Sequence, residues 1–166
     1  MDPSYIKPFI ASIQNVFSTM LQLPVTIKEP FIKTGSGTSY DVSGIIGMTG
    51  EVVGSVVLSF PQATAQRVVA LFCGSDLSAS PTDFADAVGE LVNMVSGGAK
   101  AGFTGRKVSI SCPSVVVGPA HVVARQTDAP TIVIPCTTDC GDLAIEVTIA
   151  TTAAKPAEKT AAAAKA

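Results

Sequence analysis

The sequence predicts an α+β fold, a mostly antiparallel β-sheet with long helices packed on one side. Three observations support this. Strand-like segments follow one another without intervening helices, which favours antiparallel pairing. Two long segments carry apolar residues at steps of three and four, the period of a half-buried helix. Hydrophobic residues make up 47% of the chain and aromatic ones only 5%, with no tryptophan. A core of Val, Ile, Ala and Leu suits helices on a sheet.

In chain order, the first helix spans about Ser4 to Leu21. Ile6, Phe9, Ile10, Ile13, Phe17, Met20 and Leu21 share its apolar face, and Pro3 and Pro8 confine disruption to its start. Val25 to Ile32 is a strand candidate. "YDVSGIIGMTGEVVGSVVLSF" then reads as a hairpin around "MTGE", where Gly50 can take positive φ. Both faces of its second arm carry apolar residues, so that strand is expected to be covered on both sides or to lie in a dimer. Pro61 opens a short helix ending at Gly74. "SPTD" opens the second long helix, with Ser80 as N-cap, Pro81 in the first turn and Asp83 beside the positive end of the dipole, and it continues to about Phe103. "KVSISCPSVVVG", "HVVARQ", "TIVIPCTT" and "DLAIEVTIA" are strand-like segments separated by turn residues. The 166 residues suit one domain, over residues 1–150. Residues 151–166 are Ala/Lys-rich and have little to bury, so a flexible tail is expected there.

The formal net charge of -2 offers no basic field for nucleic acid. No signal peptide is visible and no apolar run reaches bilayer length, so a cytoplasmic protein off the membrane is expected. Its four cysteines should then be reduced and are read as buried thiols. Cys136 and Cys140, with Cys112 upstream, lack the close pairing or partner histidines that zinc favours, and no metal is expected. The single histidine, His121, lies in an apolar segment and reads as structural.

The stretch "ELVNMVSGGAK", residues 90–100, sets the functional question. Glycine costs about 1 kcal/mol against alanine inside a helix, yet two stand here side by side. With Phe84 at zero on a helical wheel, Val88, Leu91 and Val95 fall within about 40° of it and form the core stripe. Asp86, Glu90, Asn93, Gly97 and Lys100 fall at roughly 160–240°. A solvated polar face is the plain reading of such a stripe. Asn93, however, sits mid-helix where it caps nothing, and Gly97 removes side-chain bulk beside it. A partner lying flat on this helix would meet one carboxylate and one carboxamide. Asparagine is a poor base, but its carboxamide can orient a water. Positioning of that kind serves phosphoryl transfer, in which another molecule supplies the labile bond and the cation.

At these residues the chain resembles the CheC/CheX family of CheY-phosphate phosphatases. The family signature E-x2-N is matched by Glu90-Leu91-Val92-Asn93, followed by "SGGAK" and preceded by the hairpin. The resemblance covers roughly residues 1–150. It implies that Glu90 pairs with a receiver-domain lysine and docks the helix, while Asn93 orients water for in-line attack on the phosphoaspartate. These two are the catalytic candidates, and Asp86, Gly97 and Lys100 are partner-binding candidates. The phosphorylated CheY-like receiver would bring the acyl phosphate and Mg2+, and the chain would hold no cofactor of its own.

The family is built from two related halves with a pseudo-two-fold repeat. The first helix aligns with the second at an offset of 78 residues, placing Ser12 on Glu90, Asn15 on Asn93 and Thr19 on Gly97. Ser12 and Asn15 would be a degenerate first site without its carboxylate, on an exposed stripe like that of Asn93. A CheX-like chain with one working site is the expectation, as a homodimer whose later strands pair across a two-fold axis. A non-catalytic receiver-binding or scaffold module is the alternative; a flagellar-switch subunit fits the Glu90/Asn93 pair less well.

Overall fold

The computed structural model describes residues 3–124 and 127–151; the expected tail lies outside them, save Thr151. A 3-10 turn at Pro3–Tyr5 leads into α1 (Lys7–Leu21), β1 (Thr26–Ile27), β2 (Phe31–Ile32), β3 (Val42–Gly50) and β4 (Val52–Phe60). Then follow α2 (Gln62–Cys73), α3 (Pro81–Ala101), β5 (Val108–Ile110), β6 (Ser114–Val117), β7 (Thr131–Thr138) and β8 (Gly141–Thr151). All pairings are antiparallel, in the order β1-β7-β8-β4-β3-β5, with β2 also on β7 and β6 also on β3.

The β3–β4 hairpin turns where expected. Gly50 has φ +107°, and a Cβ there would meet the Lys107 carbonyl oxygen at 2.3 Å. α2 ends at Gly74 with φ +71°. At the start of α3 the Ser80 hydroxyl donates to the Asp83 carboxylate at 2.5 Å and caps no backbone N–H.

Three expected strands differ. The segment from Val25 to Ile32 is split into β1 and β2 around Pro30, which has no N–H for the ladder. "KVSISCPSVVVG" is also two strands, parted at Ser111–Pro113, where the Gly47 N–H bonds the Ser111 side-chain oxygen at 2.9 Å. "HVVARQ" forms no strand among its described residues; Val122 makes a single bridge to Gly37.

Alternation divides the sheet into two faces. Val42, Ile46 and Met48, Val56, Leu58 and Phe60, and Leu143, Ile145 and Val147 join the helices in one core. α3 lies close on β3: a Cβ on Gly44 would come within 2.8 Å of Val92 Cγ1. The opposite face mixes polar and apolar residues, and Ser43, Val57, Ser59, Val133 and Glu146 on it are buried, because the chain folds back over them. The Tyr40 N–H bonds Ser59 Oγ at 2.9 Å. Glu146, 3% exposed, accepts from the Ser39 N–H and hydroxyl at 2.7 Å and pairs with Lys33. His121 donates from Nδ1 to the Gly118 carbonyl at 2.8 Å, and its Nε2 is hydrogen-bonded to the Ser43 hydroxyl at 2.8 Å. Of the two arrangements expected for β4, cover on both sides is thus supplied within the chain.

Cys136 and Cys140 are buried, and burial pushes the Cys136 thiol up to about 12. Cys73 and Cys112 are exposed, which corrects the expectation of four buried thiols; each falls near the end of an element, clear of the core.

Candidate functional site

The site is built on α3, which is held from three directions. Val88, Leu91, Val92 and Val95 bury against the sheet. Pro113 and Val115 seat against Gly89, where a Cβ would meet both at 3.4 Å. α1 runs alongside: Pro8 faces Gly102 and Ser12 faces Gly98, so the two helices are antiparallel.

The remaining arc carries the predicted stripe. Asp86, Glu90 and Lys100 are exposed, while Asn93 and Gly97 are half-buried. Neither the Glu90 carboxylate nor the Asn93 carboxamide forms a hydrogen bond or ion pair with another described residue. A half-buried carboxamide without an internal partner keeps one acceptor and two donors for another molecule. Asp83 and Asp86 precede Glu90 and make the first half of the helix acidic, while Lys100 sits in its last turn near the negative end of the dipole.

The paired glycines separate into two roles. At Gly98 a Cβ would lie 2.3 Å from Ser12 Oγ, so that glycine admits α1. At Gly97 a Cβ would meet nothing within 4 Å. Packing within the chain thus requires Gly98 and leaves Gly97, with its cost of about 1 kcal/mol, unexplained. The space above Gly97 lies on the face that bears Glu90 and Asn93.

The first helix departs from expectation. Asn15 is exposed, but Ser12 is 6% exposed and donates from Oγ to the Val95 carbonyl oxygen at 2.7 Å. The exposed degenerate pair is therefore not formed. Ser12 belongs to the α1–α3 seam, and a longer acidic side chain there would collide with Gly98. Thr19 is exposed and donates back to the Asn15 carbonyl oxygen at 2.7 Å. The wheel gave the correct angle for Ser12; it could not show which neighbour occupies that angle. Gly98 was the available clue, since a small residue on each of two helices permits a close crossing.

Among the described residues, no three His, Cys, Asp or Glu side chains gather as a metal site, and no helix is long and apolar enough to cross a membrane.

The family model described as chemotaxis phosphatase CheX matches residues 42–137, which include Glu90 and Asn93. CheY-P phosphatase CheX of Thermotoga maritima is 29% identical over 121 residues, covering 71% of this chain and 78% of that protein. The crystal structure of chemotaxis protein CheX from Desulfovibrio desulfuricans superposes with a TM-score of 0.82 at 34% identity, over 88% of this chain and 99% of that one. A CheX–CheY–BeF3–Mg2+ complex from Borrelia burgdorferi shares the fold with a TM-score of 0.75 at 21% identity, over 87% of this chain and 97% of that one. With the sheet, the three helices and the E-x2-N helix in place, this chain belongs to the CheX family of chemotaxis phosphatases.

Proposed function

We propose that this chain removes the phosphoryl group from the phosphoaspartate of a CheY-type receiver domain. The observation that carries this reading is the Glu90/Asn93 pair, without a side-chain partner among the described residues, on a helix face that Gly97 keeps clear. Neither residue is a nucleophile suited to taking up phosphate at this site. Their chemistry fits docking and water placement.

Glu90 approaches a cationic group of the receiver and sets the register of α3. Asn93 then enters the receiver's site, and its carboxamide oxygen accepts a hydrogen bond from a water, aiming a lone pair at phosphorus. The water oxygen forms the new P–O bond as the P–O bond to the aspartate breaks. The aspartate leaves as a carboxylate and inorganic phosphate departs. Mg2+ belongs to the receiver and offsets the charge there. The chain contributes position and exclusion of stray geometry, effects that supply much of a phosphoryl-transfer barrier reduction. The name of the Thermotoga relative and the composition of the Borrelia complex support this assignment. Phosphate release from a panel of phosphorylated receivers, with and without the chain, tests it.

Glu90→Ala is expected to raise the dissociation constant for the receiver by about 5- to 10-fold, with a smaller change in the rate at saturation. Native binding should weaken as salt rises from low to physiological strength, because an exposed ion pair is screened. Titration at two salt concentrations checks both; an unchanged affinity in the mutant removes Glu90 from docking.

We also infer that two copies associate through a sheet edge. β8 is interior, bonded on both sides by β4 and β7, so it cannot pair with a second copy. Of the later strands, β5 and β6 form an outer edge, and Val116 and Val117 of β6 are exposed. Covering that edge would protect its open backbone groups. Sedimentation at micromolar concentration should show a dimer, and Val117→Lys should shift it to monomer.

A further inference from the structure

The register of the seam between α1 and α3 sets a residue of α1 level with Glu90 of α3. Ser12, Val16 and Met20 are four residues apart and form one row along α1. Gly98, Met94 and Glu90 form the matching row on α3, read in the opposite direction. Because Ser12 meets Gly98 and the helices are antiparallel, each step along one row is a step along the other. Two turns, about 12 Å of helix rise, bring Met20 level with Glu90.

Ser12 and Val16 are buried in this seam, but Met20 is 49% exposed. It belongs to the apolar pattern of α1, yet the structure leaves it outside the core. A flexible apolar side chain at the rim of a charged docking residue suits a protein partner, since methionine adapts to the surface it meets. Glu90 steers and orients; an apolar neighbour that loses water on contact holds the complex together.

We propose that Met20 is a docking contact for the phosphorylated receiver, flanking Glu90 from α1, and that it helps determine which receiver is held. This rests on the receiver-docking reading of Glu90 and Asn93. The working site is then shared between the two helices: α3 supplies the carboxylate and carboxamide, and α1 supplies an apolar anchor.

The test uses the full chain carrying Met20→Ala and, as a control, Leu71→Ala, whose side chain on α2 is also 49% exposed. Each is titrated with a CheY-type receiver domain loaded with Mg2+ and beryllium trifluoride, and single-turnover phosphate loss is followed at saturating chain. Met20→Ala should raise the dissociation constant about 10-fold and leave the saturated rate within about 2-fold, while Leu71→Ala changes neither. Native affinity in Met20→Ala, or equal weakening by both variants, overturns the role of Met20 alone. If the native chain itself fails to bind any loaded receiver, the docking reading and this inference fall together.

Discussion

Asn93→Ala is expected to slow single-turnover phosphate loss from a phosphorylated receiver by about 100-fold or more, with little loss of receiver affinity. The Asn93 side chain makes no hydrogen bond with another described residue, so its removal breaks none among them. Alanine is the better helix former, and stability should hold or rise by a few tenths of a kcal/mol, about 0.5 at most. The melting temperature therefore acts as an internal control. A slow rate with native melting and native binding isolates water placement. Asn93→Asp separates geometry from charge: it keeps the shape but sets a carboxylate against phosphoryl oxygens, and should also be slow. Native rates in Asn93→Ala would remove the carboxamide from the chemistry.

The second large effect is expected at Gly97, where stability and activity should move in opposite directions. Gly97→Leu replaces the poorest ordinary helix former with a good one and should stabilise the fold by about 0.8 kcal/mol, or roughly 2–3 °C in melting temperature. No atom within 4 Å of the new Cβ opposes it. The same side chain would stand one turn from Asn93 on the docking face and hold the receiver off. Affinity should fall about 30-fold or more, since the complex must lose its close contact or tilt. Thermal melting and receiver titration on one preparation check the pair of outcomes. A variant that is both stabler and fully active would show that the space above Gly97 has no occupant. The neighbouring glycine gives the contrast: at Gly98 any side chain meets Ser12 and loosens α1.

The parts of the molecule that were legible in the sequence are those set by local pattern. The hairpin at Gly50, the end of α2 at Gly74 and the core stripe of α3 follow from turn chemistry and periodicity. The outward placement of Glu90 and Asn93 follows from the same wheel. What could not be read depends on which elements touch. Ser12 and Glu90 have matching wheel angles, but only Ser12 lies in the seam, donating to Val95. Met20 fits the apolar stripe of α1 but falls where the seam no longer covers it. Likewise, the apolar residues on both faces of β4 left cover by the chain itself and cover by a second subunit equally open, and only the return of the chain near Tyr40 and His121 shows that it covers the adjoining polar row. Long-range return of the chain decides these cases, and no short window contains it.

Phosphate loss from a radiolabelled phosphoreceiver, followed in single turnover over a range of native chain concentrations, tests the central claim most directly. Catalysis by Glu90 and Asn93 predicts a rate that rises and saturates with chain concentration, with all label released as inorganic phosphate and none transferred to the chain. Saturable binding with the receiver's own rate of phosphate loss unchanged would contradict it and leave a binding module in its place.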